Sequence, residues 1–230
     1  MPSNHHTQLL LGIDTCGPAG SVALGSLAGE AIEILEQIEL EGRTYSANLV
    51  TAVSHLLSRA SAKVSDLGCI VAVNGPGGFT GVRVGLSAVK GLAEVAQIPV
   101  TAVSRLEVLA WKAGVRSSAL DAHRHEVFLR MSEATGTVRE LLAGLDELAA
   151  INPLGEPIAI CDDAAAMLLS TAWPSIHPVR TDTPTGADAL RLCAARVAQG
   201  DFVDLALLDG HYLRRSDAEI FGGAATVQGA

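Results

Sequence analysis

The residues best placed to do chemistry lie in a glycine-rich stretch, GPGGFTGVRVG, where Gly75, Gly77 and Gly78 lead into Thr80, Gly81, Arg83, Val84 and Gly85. Glycine turns between a strand and a helix expose backbone N–H groups beside a positive helix end, which suits an anion. Asp14, closing the apolar run QLLLGID, is the other candidate, because a carboxylate after a strand can orient a Mg2+-bound water. Together Asp14, Gly75, Gly77 and Gly78 would hold Mg-ATP. Against this, the stretch lacks the Gly-Lys-Ser/Thr ending of a P-loop, and its GxGxxxG spacing misses the dinucleotide fingerprint by one residue. Asp14 also reads as a turn aspartate bonded to the backbone just after it.

Two glycines, Gly85 and Gly91, stand inside the helical pattern that follows. Each costs about 1 kcal/mol relative to alanine in an exposed helix interior, and such a cost asks for a packing reason. Gly81, Gly85, Ala88 and Leu92 fall near one face and would form a shallow groove for a neighbouring helix, internal or on another chain. Helix packing is therefore the first reading of the stretch, and an anion contact the second.

Other reactive residue types form no motif. His123 and His125, at i and i+2 on an expected strand, share a face and could touch a metal, but no third ligand is predicted nearby, so no metal site is expected. Ser104, Cys161 and Cys193 sit in no nucleophile elbow or papain-like context, and no HExxH occurs. No catalytic residue is predicted.

Alternating and continuous apolar runs give the elements that must position these residues. Residues 8–14, 21–26 and 31–40 read as a β-meander. Leu49, Val53, Leu56, Leu57 and Ala60 recur at helical spacing, with Thr44 or Ser46 as N-cap. A strand over 69–73, a helix over 81–96 capped by Thr80, a strand over 99–103 and a helix capped by Ser104 follow. This βββαβαβα order is that of an actin-like half-domain, whereas a Rossmann unit starts βαβ. The second half restarts with two strands over 117–131, then a strand (PIAIC) and two helices (DDAAAMLLSTA and GADALRLCAARVAQG). The expectation is an α/β protein of two lobes, 1–113 and a smaller 114–230, dividing near Trp111 to Arg116.

At 230 residues the chain can bury a large core, built from aliphatic residues because aromatics make up only 3%. A net charge of −9 opposes direct binding to a nucleic-acid backbone. Cys16, Cys69, Cys161 and Cys193 form no CxxC pair and read as reduced and mostly buried. The start MPSNHHTQ lacks a signal-peptide pattern and no run spans a membrane, so a cytoplasmic location is expected.

LLLGIDTCGPAGSVAL, then GPGGFTGVRVGLSAVKGLA followed by IPVTAVSRLEVLA, and LDAHRHEVFLR further on, closely resemble the TsaB (YeaZ) family. The likeness is dense over 9–131 and thin beyond, apart from GHYLRRSDAE near the end. It implies a two-lobed actin-like (ASKHA) fold without a catalytic centre, serving synthesis of threonylcarbamoyladenosine in tRNA. It further implies homodimers, a pseudo-symmetric heterodimer with the catalytic subunit TsaD, recruitment of the ATPase TsaE, and contact with tRNA only through the complex. No cofactor is required by such a subunit, although ATP or ADP with Mg could sit at the partner interface. By the resemblance the helices over 46–60 and 81–96 form that interface, through Leu49, Val53, Thr80, Gly81, Arg83, Val84, Gly85, Ala88 and Leu92. Departures are Tyr45-Ser46-Ala47 where members often read His-Ser-Glu, Cys16 for the usual serine, and His123 and His125 where arginine or glycine is more typical. An actin-like ATPase or small-molecule kinase binding Mg-ATP in its own cleft is the alternative reading.

Overall fold

In the computed structural model, residues 7–42, 44–133, 135–153 and 155–214 are described. The meander forms as the alternation requires: β1 (Gln8–Asp14), β2 (Ala19–Ala28) and β3 (Ala31–Glu41) pair antiparallel in sequence. The helix α1 (Tyr45–Arg59), β4 (Leu67–Val73), α2 (Phe79–Ala96) and β5 (Val100–Val103) follow. β4 runs parallel to β1 and β5 parallel to β4, giving the order β3-β2-β1-β4-β5.

After α3 (Arg105–Lys112) come β6 (Ser117–Asp121), β7 (Val127–Ser132), β8 (Val138–Ala143), α4 (Leu145–Ala149), β9 (Ile158–Ile160), α5 (Asp163–Ala172), β10 (Val179–Arg180) and α6 (Gly186–Ala198). The second sheet, β8-β7-β6-β9-β10, repeats the first strand for strand, with β6 antiparallel to β7 and parallel to β9. Its reduction lies in length, since β9 has three residues and β10 two. Two such mixed sheets joined in this way make the actin-like fold expected from the sequence.

Continuous apolar sequence in β1 and β4 reflects cover on both faces. α1 and α2 pack on one face of the first sheet and α6 on the other. Gly12 makes the latter possible, because a Cβ there would overlap the Gly186 carbonyl. α3 packs instead on the second sheet, with Leu106 and Leu109 against Leu120, Ala122 and Phe128. The expected division at 113 is thus crossed twice: the last helix of the first half clads the second sheet, and the last helix of the second half clads the first. Each sheet needs a second cover, and the helix leaving it connects onward to its neighbour.

The start of α2 also differs from expectation. Gly78, not Thr80, occupies the N-cap position, and no side chain caps the helix. The Gly78 N–H is held by the Cys16 carbonyl at 2.9 Å, which fixes the turn and lets its own carbonyl accept from Val82 N–H at 3.0 Å. Thr44 is the N-cap of α1, likewise without a side-chain cap bond.

Candidate functional site

α1 and α2 lie side by side, and their burial reverses part of the expected interface. Gly81 and Gly85 are buried, and a methyl group on either would overlap Thr15, at its carbonyl and its hydroxyl respectively. Thr15 Oγ1 donates to the Gly81 carbonyl at 2.7 Å. The helix expected to sink into this groove is replaced by the chain's own turn after β1. Leu49 and Val53 are core residues too, 1% and 3% exposed. The expected His-Ser-Glu position begins with Tyr45, also buried, whose hydroxyl donates to the Gly17 carbonyl at 2.7 Å.

The surface that remains is one register round the helix. Thr80 and Arg83 are exposed, and Val84, Ala88 and Leu92 are half-buried. Gly91 is exposed, with nothing within 4 Å of an added Cβ among the described residues, and Val95 is 88% exposed. Beside this stripe α1 presents Ser46, Ala47, Val50 and Ser54 to solvent. Small side chains along both helices allow close approach of another surface.

The second region is the cleft between the sheets. β1 and β6 hold equivalent places in the two sheets and end in Asp14 and Asp121, and the turns after them help to enclose a cavity of about 350 Å3. Gly77, Gly78, Arg105, Phe128, Cys161, Asp162 and Thr183 complete much of its wall. The repeat could have been found in the sequence, because QLLLGID and SSALD both close an apolar run with aspartate.

Asp14 is wholly buried. One carboxylate oxygen accepts the Cys16 N–H at 2.8 Å and the other pairs with Arg105 Nε at 3.3 Å. Gly77 is pressed against the Cys16 carbonyl, and Gly75, at φ +116°, lies against His211. A nucleotide-bound metal needs a carboxylate turned outward and loop amides turned to phosphate. Here the carboxylate is tied to an arginine and the Gly78 amide to the chain itself, so Asp14, Gly75, Gly77 and Gly78 do not fit Mg-ATP.

His123 and His125 are not strand residues. With Arg124 they turn between β6 and β7 at φ of 60°, 56° and 61°, which removes the shared strand face. His123 Nδ1 faces Asp121 at 2.8 Å, and among the described residues no cluster of three or more ligands could hold a metal. Burial pushes the thiols up: Cys16 well above its ordinary value, Cys69 to about 11 and Cys193 to about 12. Cys161, half-buried, is raised for the same reason. None is poised as a thiolate nucleophile. Ser104 caps α3 and donates its hydroxyl hydrogen to Glu140 at 2.7 Å, a carboxylate already engaged by Arg130 and His211.

A strap over Asp209–Arg214 joins both lobes across this region. His211 N–H donates to the Asn74 carbonyl at 2.7 Å, and His211 Nε2 meets Glu140 at 2.8 Å. Tyr212 rests on Phe79 at 5.5 Å and accepts from Arg83 Nε at 3.3 Å, while the Arg83 guanidinium covers the Phe79 ring. Arg214 reaches the Ala122 carbonyl at 2.9 Å and pairs with Glu126. Sequence reading marked this segment only as a family ending.

Glu140 is the knot of the strap. Burial alone would raise its carboxyl, but hydrogen bonds from His211, Ser104 and Arg130 outweigh that and hold it below the usual carboxylate range. A depressed folded value stabilises above the unfolded value and is lost as pH falls through the folded one. Glu140→Gln is therefore expected to cost about 2–3 kcal/mol near pH 7, by the worth of hydrogen bonds to a charged group. In urea melts the gap to wild type should narrow as the pH drops below about 4.

Similarity to known proteins agrees with this picture. The tRNA threonylcarbamoyladenosine biosynthesis protein TsaB of Bacillus subtilis is 37% identical over 123 residues, which is 52% of this chain and 52% of that one. TsaB of Escherichia coli is 31% identical over 125 residues, again 52% of each, so the chain spans about half the length of the curated relatives it matches. The solved structure of YeaZ from Pseudomonas aeruginosa superposes with a TM-score of 0.67 over 90% of this chain and 100% of that one, at 28% identity. A family model described as TsaD, tRNA N6-adenosine threonylcarbamoyltransferase, matches residues 32–160, more than half of the chain. The chain belongs to this family, as a TsaB (YeaZ) relative. The TsaB matches and the YeaZ superposition bear out the resemblance read from the glycine stretch, and the shared architecture bears out the actin-like fold. Among the described residues no helix is long and apolar enough to cross a membrane.

Proposed function

We propose that this TsaB relative is a non-catalytic subunit in the synthesis of threonylcarbamoyladenosine in cytoplasmic tRNA, docking on and activating a TsaD-like transferase. The observation that carries the reading is the outer stripe of α2 from Thr80 through Val84, Ala88 and Gly91 to Val95, set beside the small exposed residues of α1. It fits a partner with a similar helix pair, in a heterodimer or in a homodimer of the isolated chain. A TsaE-like ATPase would join the assembled pair, and ATP or ADP with Mg would belong to that assembly rather than to Asp14. The acidic chain would meet tRNA only through its partner.

Gly91→Arg separates docking from folding. A Cβ added there has nothing within 4 Å among the described residues, and replacing a helical glycine favours the helix by up to about 1 kcal/mol. The variant is expected to melt at or above the wild-type temperature while losing co-elution with a TsaD-like subunit on size exclusion. Full complex formation and tRNA modification by the variant would refute docking on this stripe.

A further inference from the structure

Most arginines among the described residues are matched by the chain's own carboxylates, as Arg59 is by Glu36 and Arg130 by Glu140. Arg83 is not. It stands exposed on the outer stripe of α2, pairs with no carboxylate among the described residues, and follows a first helical turn that contains no acidic residue. An unmatched surface arginine is ordinary by itself, but this one is held still.

Its guanidinium lies 3.6 Å from the Phe79 ring centroid and 5.9 Å from that of Tyr212, and its Nε donates to the Tyr212 hydroxyl at 3.3 Å. Nε is the inner donor of the fork. With the inner donor engaged and one ring beneath it, the two terminal nitrogens are left without an acceptor among the described residues. Tyr212 is in turn set in place by the strap, through His211 N–H on the Asn74 carbonyl and Arg214 on the Ala122 carbonyl. Phe79 and Tyr212 are 46% and 39% exposed, in a chain with only 3% aromatic residues. Exposed aromatics gathered round an arginine are the residue types that dominate binding at protein interfaces.

From this cluster we infer that the docking surface runs past α2 onto the strap, and that Arg83 receives a carboxylate side chain of the TsaD-like partner. The inference rests on the docking reading above and adds the chemistry of the partner's surface. A guanidinium fork accepts a carboxylate on two parallel donors, and one already fixed by its neighbours loses less freedom on binding. Beside the cluster an uncharged hollow of about 580 Å3, with Ser46, Thr80 and Val84 in its wall, gives the partner's chain room to approach. Arg83 makes the contact, and Tyr212 is a positioning residue.

The test is calorimetry of the full chain with a TsaD-like subunit, at low and at high salt. Arg83→Gln is expected to weaken binding at least roughly tenfold at low salt and to flatten the salt dependence, because the lost contact is ionic. Arg83→Lys, which keeps the charge without the fork, should recover only part of the loss. Tyr212→Phe removes the hydroxyl alone and should cost about threefold in the wild-type background but nothing once Arg83→Gln is present. Absence of binding by the wild-type chain would remove the docking reading and this inference with it. Binding by Arg83→Gln within about twofold of wild type, or an equal loss from Tyr212→Phe in both backgrounds, would overturn the inference alone.

Discussion

Arg105→Met is expected to be among the most damaging single changes in the chain, lowering stability by about 3–5 kcal/mol in urea denaturation at neutral pH. The cause is not lost packing. Methionine fills much of the same volume, but Asp14 would remain fully buried, bonded to the Cys16 N–H and without its counter-charge. A buried carboxylate without its counter-charge must be protonated or left uncompensated, and both are costly. The double variant Asp14→Leu with Arg105→Met removes the charge as well, and should recover most of the loss. Equal instability of the single and double variants would show that the pair is not the source.

Cutting the chain at the apparent lobe boundary should have a larger effect still. A fragment of residues 1–113 carries all five strands of the first sheet but not α6, whose Leu190 and Cys193 are both 0% exposed. Removing a single buried leucine side chain costs about 2–5 kcal/mol, and here a whole helix face is missing. The fragment also keeps α3 without the second sheet it covers. It is expected to be insoluble or to give a poorly dispersed amide NMR spectrum, while adding residues 114–230 in trans restores dispersion. A well-dispersed spectrum from the fragment alone would show that the first sheet does not depend on the returning helix.

Most of the fold can be read from local pattern. QLLLGID and LGCIVAV are too apolar to be anything but strands covered on both sides, and the glutamate–isoleucine alternation of AIEILEQIEL forms the meander's outer strand. The chain's βββαβαβα beginning follows from these runs. What local pattern does not carry is which helix covers which sheet, since sequence adjacency assigns α3 to the strands before it and α6 to those before it.

The candidate site was legible in part for the same reason. A helical wheel tells which residues share a face, not which face turns inward. In α2 the strong stripe is Val82, Leu86, Val89 and Ala93, all buried, and Gly81 and Gly85 lie beside it rather than opposite. They therefore meet Thr15, 66 and 70 positions earlier in the chain, while the outward stripe contains Gly91. The Arg105 pairing spans 91 positions, and an arginine in SRLEVLA looks like any helix-start cation until Asp14 is brought beneath it. The histidines failed as a strand pair because the turn between β6 and β7 takes all three of His123, Arg124 and His125 into left-handed backbone.

The crossing of the two helices also sets a timetable for the newborn polypeptide. While the ribosome is still threading out the second half, the first sheet stands with one side bare, and it stays so until Gly186–Ala198 has cleared the exit tunnel. During that interval the exposed aliphatic surface is a natural client for holding chaperones. A slow patch of codons downstream of the first sheet would lengthen its exposure and lower the yield of native protein.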